Sequence, residues 1–158
     1  MFMLLDQTDR KILELLQEDA TMSASDIAEQ VGLSQSPCWR RINRLEKKGI
    51  IQRRVALLDR RALGLNVVVF AHIKLSAHGR KLLPQFENAI REFPEVMDCF
   101  TTTGQVDYIL KVVTKDIESY ERFFRNSLSQ LPSVLEVNST IALSNIKNTT
   151  ALPLGLMD

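Results

Sequence analysis

The chain has 158 residues with a formal net charge of +1; 45% of them are hydrophobic and 25% charged, a globular composition with room for one ordinary domain or two small ones. No apolar run approaches the roughly 20 residues a bilayer span needs, and MFMLLDQTDRK turns polar after five residues instead of extending into a signal sequence, so a cytoplasmic location without membrane contact is expected. Cys38 and Cys99 lie far apart without CxxC or His-rich context, and His72 and His78 lack a third ligand nearby; reduced, buried thiols and no metal or cofactor are expected.

The first helix is predicted over Asp6–Asp19, with apolar residues at Ile12, Leu13, Leu15 and Leu16, Asp6 as cap and Asp9 in the first turn, where negative charge suits the helix dipole. In MSASDIAEQVGLS, Ser23 and Asp26 have capping-box spacing, and Ala24, Ile27, Ala28 and Val31 share an inward face. Gly32 ends this second helix by supplying a left-handed turn. A third helix starts a few residues later, which is helix-turn-helix logic.

That third helix, Ser34–Lys48, organises the functional reading. Ser36 is the expected cap with Pro37 at the first helical position, and Ser34 is the alternative. At about 100° per residue, Cys38, Ile42 and Leu45 fall on one narrow arc, and Arg40, Arg41, Arg44, Lys47 and Lys48 gather about 130° away. Between Ser34 and Arg61 stand nine Lys or Arg against Glu46 and Asp59, a local charge of +7 that leaves −6 for the rest of the chain. Such a localised footprint fits phosphate better than a merely solvated surface does. Gln35, Ser36 and Trp39 stand at the helix start, where base edges are usually reached, although Trp39 is as well suited to bracing the helix.

After Gly49, IIQRRVALLD alternates apolar residues with Arg53 and Arg54 like a strand or wing whose arginines reach a neighbouring phosphate. RRALGLN, residues 60–66, is the expected hinge, dividing a DNA-binding module over residues 1–61 from a second module over 62–158.

The second module reads strand (Val67–Leu75), helix (Arg80–Phe93, with Leu83, Phe86, Ile90 and Phe93 inward and Pro84 in its first turn), then strands Val96–Thr103 and Asp107–Thr114 joined through Gly104-Gln105-Val106. Asp116 caps a helix that buries Ile117, Tyr120, Phe124, Leu128 and Leu131 and that Pro132 closes; a last strand runs over Leu135–Leu143. The order β-α-β-β-α-β is ferredoxin-like, so the fold class is α+β: a winged helix-turn-helix followed by a four-stranded antiparallel sheet with helices on one face. Apolar residues on both faces of the first strand, Val67, Val69 and Ile73 against Val68 and Phe70, predict face-to-face dimers. Dimers suit a palindromic double-stranded DNA site, with two reading helices about one helical turn apart.

SQSPCWRRINRLEKKGII, GQVDYIL and IKNTTALPL, at these spacings, make the chain resemble the Lrp/AsnC family, the leucine-responsive or feast/famine regulators, over nearly its whole length. The resemblance implies a transcription factor whose second module forms dimers, often assembling to octamers, and binds a small amino acid. Carried over residue by residue, the effector site comprises Thr103, Gly104, Asp107 and Tyr108 in the hairpin, with Thr140, Ile141 and Ala142. Asp107 would answer the ammonium of an amino acid and turn amides near Gly104 its carboxylate; alternatively, Gly-x-x-Asp-Tyr only builds a turn.

A ligand-independent architectural DNA-binding protein is the alternative function, separated from a regulator by response to a ligand. No enzyme is expected: the chain has no P-loop, no GxGxxG after a strand, no HExxH, and no nucleophile set that the sequence places together.

Overall fold

The computed structural model describes residues 5–76, 83–131 and 134–157. The chain divides into two compact units, one of Met1–Leu57 with Lys147–Asp158, the other of Leu58–Ile146. The expected division lay after residue 61; by compactness it falls after Leu57, and the C-terminal segment groups with the first unit.

In the first unit, helix α1 spans Gln7–Glu18; its cap Asp6 is extended, and the carboxylate accepts from Asp9 N–H at 2.8 Å. Helix α2, Ala24–Val31, starts with the predicted capping box between Ser23 and Asp26. It stops at Gly32, whose φ of 70° is a left-handed conformation that glycine adopts without a Cβ penalty. Helix α3, Gln35–Lys47, is capped at Ser34 and not at Ser36, and the Ser34 side chain makes no capping bond. Pro37 then falls in the first turn, where a missing N–H costs nothing because the first four N–H groups lack intrahelical partners. Ile12, Leu13, Ile27, Ala28, Cys38, Ile42 and Leu45 form the buried core.

Residues 52–59 form no strand in this chain. The expected wing is an irregular segment, and none of the described residues supplies the ladder partner that a strand requires.

The second unit contains β1 (Val67–Leu75), α4 (Leu83–Glu92), β2 (Val96–Thr101), β3 (Tyr108–Thr114), α5 (Ile117–Asn126) with a 3-10 turn at Leu128–Gln130, and β4 (Val134–Ile141). The expected start of α4 at Arg80, the position of His78 and the closure by Pro132 lie outside the described residues. The strands form one antiparallel sheet in the order β2-β3-β1-β4. Val69, Ala71, Ile73, Leu75, Tyr108, Leu110 and Val112 pack under Phe86 and Ile90 of α4 and Tyr120 and Phe123 of α5.

Three side chains expected inside are not there. Leu83 and Ile117 are exposed because each occupies the first position of its helix, before the turn that rests on the sheet, and the Cys99 residue is exposed on edge strand β2. The opposite sheet face is mixed and not apolar throughout: alternation from Phe70 puts His72 and Lys74 on it, opposite Asn138 and Glu136 of β4.

Candidate nucleic-acid interface and effector site

With Cys38, Ile42 and Leu45 fixing the inward edge of α3, the stripe about 180° away holds Ser36, Arg40, Asn43 and Lys47. Gln35, Ser36, Arg40, Lys47 and Lys48 are exposed, and Trp39 is 58% exposed, so it does not brace the helix from inside. Sequence reasoning passed over Asn43, whose Nδ2 is buried without a hydrogen-bond partner among the described residues.

The basic arc is split. Arg41 Nη1 donates to Asp6 Oδ2 at 2.6 Å and to Asp9 Oδ1 at 2.8 Å, and Arg44 Nη2 donates to Asp9 Oδ2 at 2.6 Å. Two acids three residues apart, the cap of α1 and a residue of its first turn, thus meet two arginines three residues apart on α3. Arg41 and Arg44, expected on the DNA-facing edge, are committed to α1, because the two residues lie on the flank of α3 that faces it.

Charge follows geometry here. The Asp9 backbone N–H first, and the Arg41 guanidinium second, hold the Asp6 carboxyl below its ordinary range. Bonds from Asp6 and then Asp9 hold Arg41 more firmly protonated than usual. The Cys38 thiol, in the core beneath, is pushed up by burial.

Arg54 is also engaged, donating to Ala20 C=O at 3.1 Å and to Glu46 Oε1 at 3.1 Å. Arg40, Lys47, Lys48 and Arg53 are exposed and form no ion pair among the described residues. Within the basic stretch from Ser34 to Arg54, these four are the cations left available for phosphate among the described residues.

The expected effector residues do not converge on one point. Asp107 Oδ2 accepts from Leu75 N–H at 2.7 Å, while its N–H donates to Ile73 C=O at 2.8 Å, so this residue ties the hairpin to the end of β1. Tyr108 is 2% exposed on the helix-covered face, against Phe86, and its hydroxyl donates to Glu87 at 2.8 Å. Burial first, and the Glu87 bond second, push that hydroxyl up to about 12. Thr103 and Gly104 (φ 134°) are exposed at the hairpin tip, and Ile141 points away from the face that carries Thr140. The Ala142 N–H donates to Val68 C=O at 2.9 Å, extending the β1–β4 pairing.

The open sheet face instead carries a pocket of about 410 Å³, lined by His72, Lys74, Gln105, Val106, Glu136, Asn138 and Thr140. It joins the hairpin tip to β4, as the resemblance implies, but Thr140 is the one expected residue in its lining. Lys74 and Glu136 are register partners, so a cation and an anion stand side by side. Alternation along β1 carried the signal for Lys74 and His72; the strand pairing that brings Glu136 and Asn138 beside them had none.

Comparison with known proteins agrees with both halves. A family model for the Lrp/AsnC ligand binding domain matches residues 68–152, and one for a winged helix-turn-helix DNA-binding domain matches residues 5–52. The Bacillus subtilis transcriptional regulator AzlB is 40% identical over 157 residues, spanning 99% of this chain and 100% of its own. The crystal structure of an AsnC family transcriptional regulator from Agrobacterium tumefaciens matches with a TM-score of 0.92 at 44% identity, over 97% of this chain and 99% of that one. A transcriptional regulator from Neisseria meningitidis, solved as a complex with L-Met, matches with a TM-score of 0.92 at 35% identity, over 98% and 99% of the two chains.

Proposed function

Because the chain belongs to the Lrp/AsnC family of transcriptional regulators, we propose that it reads double-stranded DNA with α3 and that a small amino acid, held in the pocket of the open sheet face, alters this binding. The observation that carries the DNA half is the stripe Ser36, Arg40, Asn43 and Lys47, set opposite the buried edge of α3. Arg40 and Lys47 meet phosphate or guanine. Gln35, Ser36 and Trp39 stand at the leading end of the helix, and Lys48 and Arg53 extend the charge beyond it.

In the pocket, Lys74 answers the carboxylate of an amino acid and Glu136 its ammonium, with Asn138 and Gln105 offering amides to either. The regulator solved with L-Met supports this ligand class. Asp107 serves the site by holding the hairpin that supplies Gln105 and Val106.

Self-association completes the reading. Phe70, Phe100, Val55, Leu57, Leu58 and Leu63 are exposed, more apolar surface than a monomer comfortably leaves in water. A second copy would cover it, give two reading helices for a palindromic operator, and leave dimers free to assemble further, up to octamers.

A thermal-shift screen against the standard amino acids tests the ligand half. A ligand that binds the folded chain alone stabilises it by about 2.7 kcal/mol at a hundredfold excess over Kd. A hit that stabilises the wild-type chain but not Lys74→Ala is the expected result; no hit at millimolar ligand would set the amino-acid reading aside.

A further inference from the structure

Burying a carboxylate is costly unless its charge is met by a well-placed partner. Asp9 is 1% exposed and is met twice, by Arg41 Nη1 at 2.8 Å and Arg44 Nη2 at 2.6 Å. From the outer side, Asp6 takes Arg41 Nη1 at 2.6 Å. Two acids and two guanidiniums sum to zero in the middle of the most basic stretch of the chain. The Arg44 side chain is still 47% exposed, so solvent reaches it although its charge is already answered.

We infer that Asp9 is a positioning residue that determines specificity: it withholds Arg41 and Arg44 from the phosphate backbone and fixes the roll of α3 about its axis. The inference rests on α3 being the DNA-reading helix. Sequence-independent affinity grows with the number of phosphates neutralised, whereas discrimination comes from base edges. A reading helix with every cation free would bind any duplex strongly. With two cations committed to α1, the exposed Arg40 and Lys47 carry a larger share of the contact. Rolling α3 in either direction would stretch the bonds to both Arg41 and Arg44, so the same acid keeps the Ser36–Lys47 stripe outward.

The test uses the full chain with two probes, a duplex enriched from a random pool by the wild-type protein and an unselected duplex, titrated across a fourfold range of salt. Asp9→Asn keeps the shape and removes the charge. Freed arginines should tighten binding to the unselected duplex about tenfold at low salt, steepen the log–log salt slope by about 1 to 2, and lower the preference for the enriched duplex. Asp9→Asn/Arg44→Gln, which removes one freed cation, should bring the slope back by about 0.9.

An unchanged slope in Asp9→Asn, with both affinities equal to wild type or falling together, would overturn the proposal, as would a double variant whose slope does not return. Should Asp9→Asn fail to fold by circular dichroism, Asp6→Asn decides, since asparagine still caps α1. It should steepen the slope by up to about 0.9, and no change would count against the inference. A wild-type chain that enriches no duplex would instead overturn the DNA-reading assignment, a result the wild-type arm alone reports.

Discussion

Gln17 and Leu152, 135 positions apart, are joined at two points: the Leu152 N–H donates to Gln17 Oε1 at 2.6 Å, and Gln17 Nε2 donates back to Leu152 C=O at 3.2 Å. One side-chain amide on α1 thereby receives the backbone of the C-terminal segment as a neighbouring strand would. Leu154 packs against the first unit's core beside it, and Arg10 donates to Met157 C=O at 3.4 Å.

The clamp should contribute to the stability of the DNA-binding unit although it comes from the far end of the chain. Gln17→Ala removes both bonds, each worth about 0.5–1.5 kcal/mol net. Amide hydrogen exchange across α1 should speed up accordingly, with β1 and β3 unchanged. Deleting residues 147–158 should accelerate it further, because the Leu154 contact goes as well.

Arg40→Ala should weaken binding to every duplex and make the log–log salt slope shallower by about 0.9 if the guanidinium meets phosphate. If it meets a guanine edge, the loss should be about 1–3 kcal/mol at one base position. Fluorescence anisotropy over a salt series with base-substituted duplexes separates the two.

Gly32→Ala is expected to destabilise the first unit by about 1–2 kcal/mol, the cost of placing a Cβ residue in the left-handed region. No atom lies within 4 Å of the added Cβ, so backbone strain is the whole effect and no clash adds to it. Thermal unfolding followed by circular dichroism measures the shift.

Asp107→Asn keeps an oxygen for Leu75 N–H and should change stability little, whereas Asp107→Ala leaves that N–H without its partner and should cost about 1–3 kcal/mol. In both variants ligand affinity should follow the order of the hairpin and not the charge at this position. Calorimetry with a ligand from the amino-acid screen would contradict this if Asn weakened binding as much as Ala.

Tyr108 makes the second unit sensitive to alkali. Its hydroxyl is held at about 12 in the folded chain, against about 10 in an unfolded one. The unfolded state therefore binds fewer protons between those values, and stability present below pH 10 is lost as pH rises toward 12. Tyrosinate absorbance should report this hydroxyl titrating late or together with unfolding; Tyr108→Phe should flatten that part of the stability profile.

Element order, the caps of α1, α2 and α5 and the helix-turn-helix geometry were legible in the sequence because each is set by neighbours within a few residues. Asp6, the Ser23–Asp26 box, the turn at Gly32 and the period-2 run Val67–Leu75 depend on local backbone chemistry, which composition and spacing expose directly. The concentration of positive charge between Ser34 and Arg61 was equally plain. Which of those cations remain available was not, because charge availability depends on partners: Asp9 lies 32 residues before Arg41 and 35 before Arg44. The burial of Tyr108 was decided likewise, by strand pairing that sets Ile73 opposite it under α4, and the pocket by a register that lays Glu136 beside Lys74. The C-terminal segment carries no periodicity that would announce its return to α1, since its attachment is two backbone groups meeting one glutamine. Local rules fix what each stretch becomes; long-range pairing decides which side chains are spent on the fold and which are left for a ligand or for DNA.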